Sequence, residues 1–485
     1  MSQSLEFFFY TMHLCDLCEQ RRLPGFNSPD DEYLNKWLRG TIKAAENQRV
    51  CCLCSGLLQT GSGVVEVIQS SLDDACYQNI FGCLLSVQFP PDLLFRQYIE
   101  RVVQGGVLCS DVRDVLRGLI QRAVISEQHN EKIPKLFVDV IVRFPESYVG
   151  VPVELIKAVN SAGKHKFRTV HSVNIADVQQ FMESTKGNVS LVYRALFRGL
   201  QPENDPGIEE MKFLLQSKFL DVEAVLPSVS VSLRRETVYL VGSYVKDTRD
   251  FGQSQWDAHE TSVAETICPE ICKLFDSPID KCLFSASGRE DMDVRMLGDG
   301  RSFVLQLGDA KSLEPLMNNE CTLKTFILDT GDVKVLGGLR WVDKGVMDWL
   351  HWSTEQHLKV YRCVVWAEAP LPSQAELDRI HKERINLKIL QKTPLRVLHR
   401  RTENTREKRM YSVQGERLND HFAIFTFHAS AGAYIKEFVH GDFGRTAPSF
   451  AEVIFGSHVR CDILQLDVLE VKQEEEERYV PVWDR

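Results

Sequence analysis

No apolar run in this 485-residue chain approaches the ~20 residues that a membrane-spanning helix needs, so no membrane partner is expected. The opening stretch MSQSLEFFFYTMHLC carries aromatics but neither a basic segment nor a long apolar one, and it does not read as a secretory signal. Strict repeats of roughly 20–50 residues are absent, as are long low-complexity segments, which excludes solenoids and propellers. An excess of positive charge is missing too, since the net balance is −10 at neutral pH. That balance excludes a uniformly basic surface, but it says little where one sign is segregated along the chain.

What is present suits a folded protein, with 44% hydrophobic and 26% charged residues. At ~100–200 residues per domain, the length predicts two to four domains. Fourteen cysteines without an export signal fit a reducing compartment, where they act as free thiols or metal ligands, and nucleus and cytoplasm are the expected addresses. Eight of the fourteen lie at or before Cys109, among them Cys15-x-x-Cys18 and Cys51-Cys52-Leu53-Cys54. Two CxxC turns supply four thiolates to one tetrahedral zinc, each pair gripping the metal from one short turn. Cys15, Cys18, Cys51 and Cys54 are therefore the candidate ligands of a structural zinc, and Cys52 is assigned to packing. The 32 residues between Cys18 and Cys51 must hold an insertion or a small helix.

From about residue 56 to 200 the pattern is mostly helical, clearest in DVRDVLRGLIQRAVI, with one strand-like run, LFVDVIVRF. The turn-forming QPENDPG marks a domain boundary, giving an accessory domain over 1–205 and a second domain over 206–485. Downstream come many short strand candidates: VYLVGSYV, KCLFSAS, SFVLQL, KVYRCVVW, PLRVLH, HFAIFTFHAS and CDILQLDVLEV. Helical pieces such as SQAELDRIHKERI and GAYIKEFVHGDF interrupt them, so the fold class is α+β with a large sheet.

The run SGREDMDVR, Ser287 to Arg295, sets acids and guanidiniums beside a glycine directly after a strand-like segment. A carboxylate held among fixed cations stays ionised, the state that a nucleophile or a metal ligand needs. The same composition also suits a solvated turn whose ion pairs contribute only ~0–1 kcal/mol. A Mg²⁺ site on Asp291 and Asp293 fits poorly, because Arg289 and Arg295 bracket the pair and no GxxxxGK loop lies nearby. Between Arg379 and Arg409, eleven Lys or Arg stand against three Glu, a stretch on which a phosphate backbone can dock. Glu474 to Glu477 form an acidic run of opposite character.

Three separated residues complete the set: Asp291, Tyr361 in Lys359-Val360-Tyr361-Arg362, and Lys436 in Gly432-Ala433-Tyr434-Ile435-Lys436. Singly, a strand tyrosine reads as core and a lysine opening a helix reads as solvated. In this chain order they resemble the aspartate, tyrosine and basic residue of pseudouridine synthases. GSYVKDTRD with QSQW, SGREDMDVRMLGDGRSF, QKTPLRVLHRR and YIKEFVHGDFGRT are similar to the family called Pus-ten, strongly from about residue 236 to 471 and weakly before.

The resemblance implies a pseudouridine synthase catalytic fold, a mainly antiparallel sheet with a central cleft, behind a THUMP-containing accessory domain with paired zinc knuckles. It implies isomerisation of uridine 54 and/or 55 in the TΨC arm of tRNA, with structural zinc and no cofactor for catalysis. A stacked uridine must be flipped into a pocket before its glycosidic bond is touched. Asp291 is then the nucleophile, Tyr361 the aromatic floor, and Lys436 the cation opposite Asp291. Attack on the base and attack on the sugar are both open. Arg289 is expected to shape the loop and contact a phosphate, with Asp293 and Arg295 as loop structure. Lys392, Arg396, Arg400 and Arg401 form an expected phosphate-tracking edge, extended by Arg445 and His440. Ala433 and Ser302 depart from the family pattern, which more often has threonine and proline there. The expected partner is tRNA, with other structured RNA open, and the rival reading is a non-catalytic RNA-binding scaffold or chaperone.

Overall fold

The computed structural model describes residues 14–39 and 50–97 apart from scattered positions, then 110–124, 133–145, 226–254, 261–317, 321–383, 386–399, 401–472 and 479–480. The chain divides into two compact units, Met1–Arg235 and Glu236–Arg485.

In the first unit, α1 (Asp16–Gln20), α2 (Asp31–Leu38) and α3 (Ser62–Asp74) precede β1 (Cys83–Gln88), α4 (Val112–Val124), β2 (Leu136–Arg143) and β3 (Ser228–Arg235). Asp30 caps α2 by accepting from the Tyr33 amide at 2.8 Å, which satisfies one of the helix's free N–H groups. Leu136, Val138, Val140 and Val142 alternate inward along β2 and pack in one core with Val64, Val65 and Ile68 of α3 and Leu116, Leu119 and Ile120 of α4. β2 lies between β1, which runs parallel to it, and β3, which runs antiparallel. Within the stretch read as mostly helical, Cys83–Gln88 is thus a strand, fixed by its pairing with β2. Pairing from Leu136↔Arg235 to Arg143↔Ser228 also places β3 in the first unit, so the units divide further along the chain than the boundary expected after residue 205. The QPENDPG turn itself lies outside the described residues.

The second unit is built on a sheet of eleven strands among the described residues. These are β4 (Val238–Lys246), β5 (Cys282–Ala286), β6 (Val294–Leu307), β7 (Leu328–Asp329), β8 (Val333–Val342), β9 (Lys359–Ala367), β10 (Leu387–Lys392), β11 (Thr405–Arg417), β12 (Phe422–Ala429), β13 (Thr446–Ala447) and β14 (Cys461–Val471). Their spatial order is β13-β10-β11-β12-β9-β14-β6-β4-β8-β7, with β5 also on β6. Neighbours are antiparallel except β14 and β6, whose parallel seam joins the two halves. Asp467 of β14 stitches that seam, accepting from Arg295 Nε at 2.9 Å and Nη2 at 2.7 Å, and from Arg249 Nη2 at 2.6 Å.

Helices α5 (Val263–Phe275), α6 (Val346–Gln356), α7 (Gln374–Glu383), α8 (Ile435–His440) and α9 (Phe450–Phe455) accompany the sheet. Phe425 and Phe427 of β12 meet Phe438 of α8 and Phe450 of α9 edge to face, with Phe425 and Phe450 centroids 4.7 Å apart. All four rings are fully buried, and this packing sets the position of α8 against the sheet. PLRVLH, expected as a strand, is instead a short 3₁₀ turn over Leu395–Val397, because Pro394 has no N–H to give the ladder; the strand is the preceding Leu387–Lys392.

Candidate active site

The loop between β5 and β6 is held from beneath by buried polar groups. Glu290 turns inward, with Oε2 2.7 Å from Arg301 Nε, and its Oε1 accepts from Tyr244 Oη at 2.7 Å. Gln253 Nε2 donates to Tyr244 Oη at 2.9 Å and to the Gly288 carbonyl at 3.0 Å. The buried Lys246 Nζ donates to the carbonyls of Phe251 at 2.6 Å, Met292 at 3.0 Å and Asp291 at 3.3 Å. Breaking a buried pair such as Glu290–Arg301 by removing one partner costs roughly 3–5 kcal/mol. The loop backbone is therefore fixed, with the Glu290 side chain buried and that of Asp291 one-third exposed.

Asp291 faces two cations. Oδ1 lies 3.1 Å from Arg396 Nη1, and Oδ2 lies 3.3 Å from Lys436 Nζ. Burial by itself would raise its pKa, but Arg396 and Lys436 outweigh that and hold the carboxyl below the usual carboxylate range. Both cations are themselves anchored, Arg396 Nε on the buried Glu437 at 2.7 Å and Lys436 Nζ on both oxygens of Asp293 at 2.8 Å. The start of α8 is pinned to β10, since Gln391 donates to the Tyr434 carbonyl at 2.9 Å and accepts from its amide at 3.0 Å.

Asp291, Arg396, Tyr434 and Lys436 line a cavity of about 230 Å³, the scale of a single nucleoside rather than of a large ligand. Tyr361 lines it from β9, and burial pushes its hydroxyl up to about 12. Leu466 and Val468 of β14 and Ile435 of α8 supply apolar wall. An ionised carboxylate, an aromatic ring and apolar walls around a half-open cavity can bind a flat ring and attack it.

Asp291, Tyr361 and Lys436, far apart in sequence, thus meet at one cavity. Arg289 is exposed on its rim, with Nη1 3.5 Å from Ser254 Oγ. Arg396, expected on the phosphate edge, ion-pairs Asp291 and Glu437. Arg401 lines the cavity and donates to Tyr434 Oη at 3.1 Å, and Lys392 is exposed at the end of β10. Arg445 points inward, donating to the Thr393 carbonyl at 2.8 Å, while His440 Nδ1 accepts from the Asp442 amide at 3.1 Å. Asp293 does more than shape the loop, because it holds Lys436, whereas Arg295 ties the loop to Asp467. Arg400, Trp256 and Glu474 to Glu477 lie outside the described residues.

Sequence reading missed Lys359, Glu437 and Tyr434. Lys359 was legible from strand period alone, since it stands two residues before Tyr361 and shares its face.

In the first unit, the ligand atoms of Cys15, Cys18, Cys51 and Cys54 lie within 4.8 Å of one another, and all four residues are buried. Cys15 Sγ is 3.8 Å from Cys54 Sγ, which matches the ~3.8 Å edge of a tetrahedron with metal–sulfur bonds of ~2.3 Å. Cys15 precedes α1 and Cys18 lies within it, while the Ser55 amide donates to the Cys51 carbonyl at 2.8 Å and closes the second turn. The donor set fits a soft tetrahedral metal ion. Cys52 lies outside the described residues.

The family model described as "Pus10, C-terminal" matches residues 239–472. The tRNA pseudouridine synthase Pus10 of Pyrococcus furiosus is 34% identical over 244 residues, which cover 50% of this chain and 60% of that protein. The protein of that name from Xenopus laevis is 28% identical over 448 residues, 88% of this chain and 81% of that protein, and the one from Homo sapiens is 26% identical over 460 residues, 88% and 79%. Among solved structures, a Cbf5–Nop10–Gar1 complex is similar over 47% of this chain and 48% of that one, at 14% identity and a TM-score of 0.27, too slight a likeness to add to the sequence match. With the match over residues 239–472 and relatives from archaea to vertebrates, the chain belongs to the Pus10 family.

Proposed function

We propose that this chain is a tRNA pseudouridine synthase that isomerises uridine 54 and/or 55 of the TΨC arm, with Asp291 as nucleophile on a flipped-out uridine. The observation that carries the reading is the Asp291 carboxylate, kept ionised between Arg396 and Lys436 at a nucleoside-sized cavity that Tyr361 also lines. The printed activity of the relatives supports it. Tyr361 stacks on the base once it leaves the helix. Asp291 attacks the nucleotide, the glycosidic bond breaks, the held uracil turns, and its C5 joins C1′. No electron is gained or lost overall, so no redox partner takes part. Arg289 and Arg401 at the cavity contact flanking phosphates, with Lys392 on the exposed edge. The first unit serves as an RNA-binding accessory domain, and Cys15, Cys18, Cys51 and Cys54 hold a structural zinc that takes no part in the chemistry.

The test compares wild type with Asp291→Asn on unmodified tRNA transcripts, mapping pseudouridine at nucleotide resolution. Modification by wild type alone is expected. Equal modification by both proteins refutes the role of Asp291, and binding by both with modification by neither supports a scaffold instead.

A further inference from the structure

One cationic side chain at the cavity has no work in the account above. Lys359 opens β9, is 6% exposed, and lines the cavity on the same strand face as Tyr361. Among the described residues its amine has neither a hydrogen-bond nor an ion-pair partner. Glu290, which lines the same cavity, is engaged by Arg301 at 2.7 Å. The loop passes close to the amine without crowding it, because position 288 is glycine: a Cβ there would stand 3.2 Å from Lys359 Nζ and 3.0 Å from Arg301 Nη1. Gly288 also has φ +89°, a conformation that only glycine adopts without strain. A buried, unpaired amine beside a second cation is costly unless a ligand completes it.

We propose that Lys359 is a catalytic residue that donates a hydrogen bond to a carbonyl oxygen of the uracil ring and stabilises the negative charge which the ring acquires during isomerisation. The inference rests on the pseudouridine-forming reading above. Either course of attack by Asp291 places charge on that oxygen. If the carboxylate bonds to C1′, the electron pair of the C1′–N1 bond stays on N1 and is shared with O2 and O4. If it adds to C6, the pair of the C5–C6 bond moves onto O4. In both courses C5 finally bonds to C1′, the proton leaves C5, N1 gains one, and the carboxylate is released. A buried donor aimed at the developing oxyanion accelerates such a step, since it is strongest when the charge is present. A phosphate is the wrong occupant, because exposed Arg289 and Arg401 stand where the backbone would pass and Lys359 is buried beside the ring's stacking partner.

The test measures single-turnover pseudouridine formation by wild type, Lys359→Met and Lys359→Arg on one tRNA transcript carrying uridine, 2-thiouridine or 4-thiouridine at the target. Sulfur accepts hydrogen bonds poorly, so wild type should slow on one of the two thio substrates. Lys359→Met should be about 10²–10³-fold slower than wild type on uridine and lose that thio sensitivity, while Lys359→Arg retains part of the rate. Wild-type rates in Lys359→Met, or thio effects that simply multiply with the substitution, overturn the assignment and leave the enzymatic reading intact. Absence of pseudouridine with wild type itself overturns both.

Discussion

Replacing Lys359 by methionine should stabilise the second unit, and by an amount that depends on pH. Burial, then Arg301, lowers the pKa of Lys359 from its ordinary 10.5 to about 7, with Glu290 opposing and Lys408 adding to the effect. At ~1.4 kcal/mol per unit, that shift corresponds to a cost of about 5 kcal/mol whenever the amine is charged in both the folded and unfolded chain. The sign follows from proton counts. Between pH 7 and 10.5 the unfolded chain carries the proton and the folded one does not, so wild-type stability rises with pH across that window. At pH 6 the full cost is present, and by pH 9 about 2 kcal/mol remains. Methionine has similar length and no charge, so its advantage over wild type should shrink by about 3 kcal/mol between those conditions. Arg301, Glu290, Lys408, Tyr361 and Asp291 face the same space in both proteins, and their own titration largely cancels in the difference. Urea unfolding followed by tryptophan fluorescence reads the change as a shift in midpoint difference on the order of 1 M. A Met variant that is less stable than wild type at pH 6, or an advantage that does not vary with pH, refutes the argument.

Arg396→Gln separates two roles for that guanidinium. If it holds Asp291 ionised, the acid limb of the kcat profile moves to higher pH, because the carboxylate loses the first of the two cations that depress it. If it only tracks phosphate, KM and salt dependence change and the limb stays where it was. Cys15→Ser should reduce bound zinc, measured by atomic emission, from about one ion per chain to near zero, with earlier thermal unfolding of the first unit. Unchanged metal content removes the four-cysteine site.

The cysteine knuckles were legible because their information is local: CxxC spacing predicts a turn that aims two thiolates at one point, and only the meeting of the pairs needed the fold. Asp291, Tyr361 and Lys436 were legible through resemblance rather than through pattern, since nothing in periodicity brings three distant segments together. Arg396 has partners that its sequence context does not show. Its neighbours in QKTPLRVLHRR are basic, so composition pointed to phosphate, whereas the turn imposed by Pro394 directs this one side chain onto Asp291 and Glu437. Lys246, whose amine clamps three loop carbonyls, gave no sign at all, because a lysine in an apolar strand reads the same whether it is buried or at an edge. β8 was hidden by its Gly337-Gly338 pair, and β11 by the four consecutive charges Arg406 to Arg409, which occupy both faces, and by the register shift between Met410 and Ser412.

The two kinds of cation at the cavity divide the electrostatic work. Lys436 and Arg396 hold Asp291 as an anion before any substrate arrives, which favours its ionisation; if Asp291 is the nucleophile proposed above, the same contacts make it a calmer one, since attack must loosen both. Contacts that are already complete in the resting enzyme cannot accelerate the reaction by being made. Lys359 is the reverse case: unpaired among the described residues, it finds its proposed acceptor on the bound ring and holds it most strongly when charge builds there. Rate should therefore respond to Lys359 more through kcat than through KM, and stability should respond in the opposite direction, a combination that a purely structural lysine would not produce.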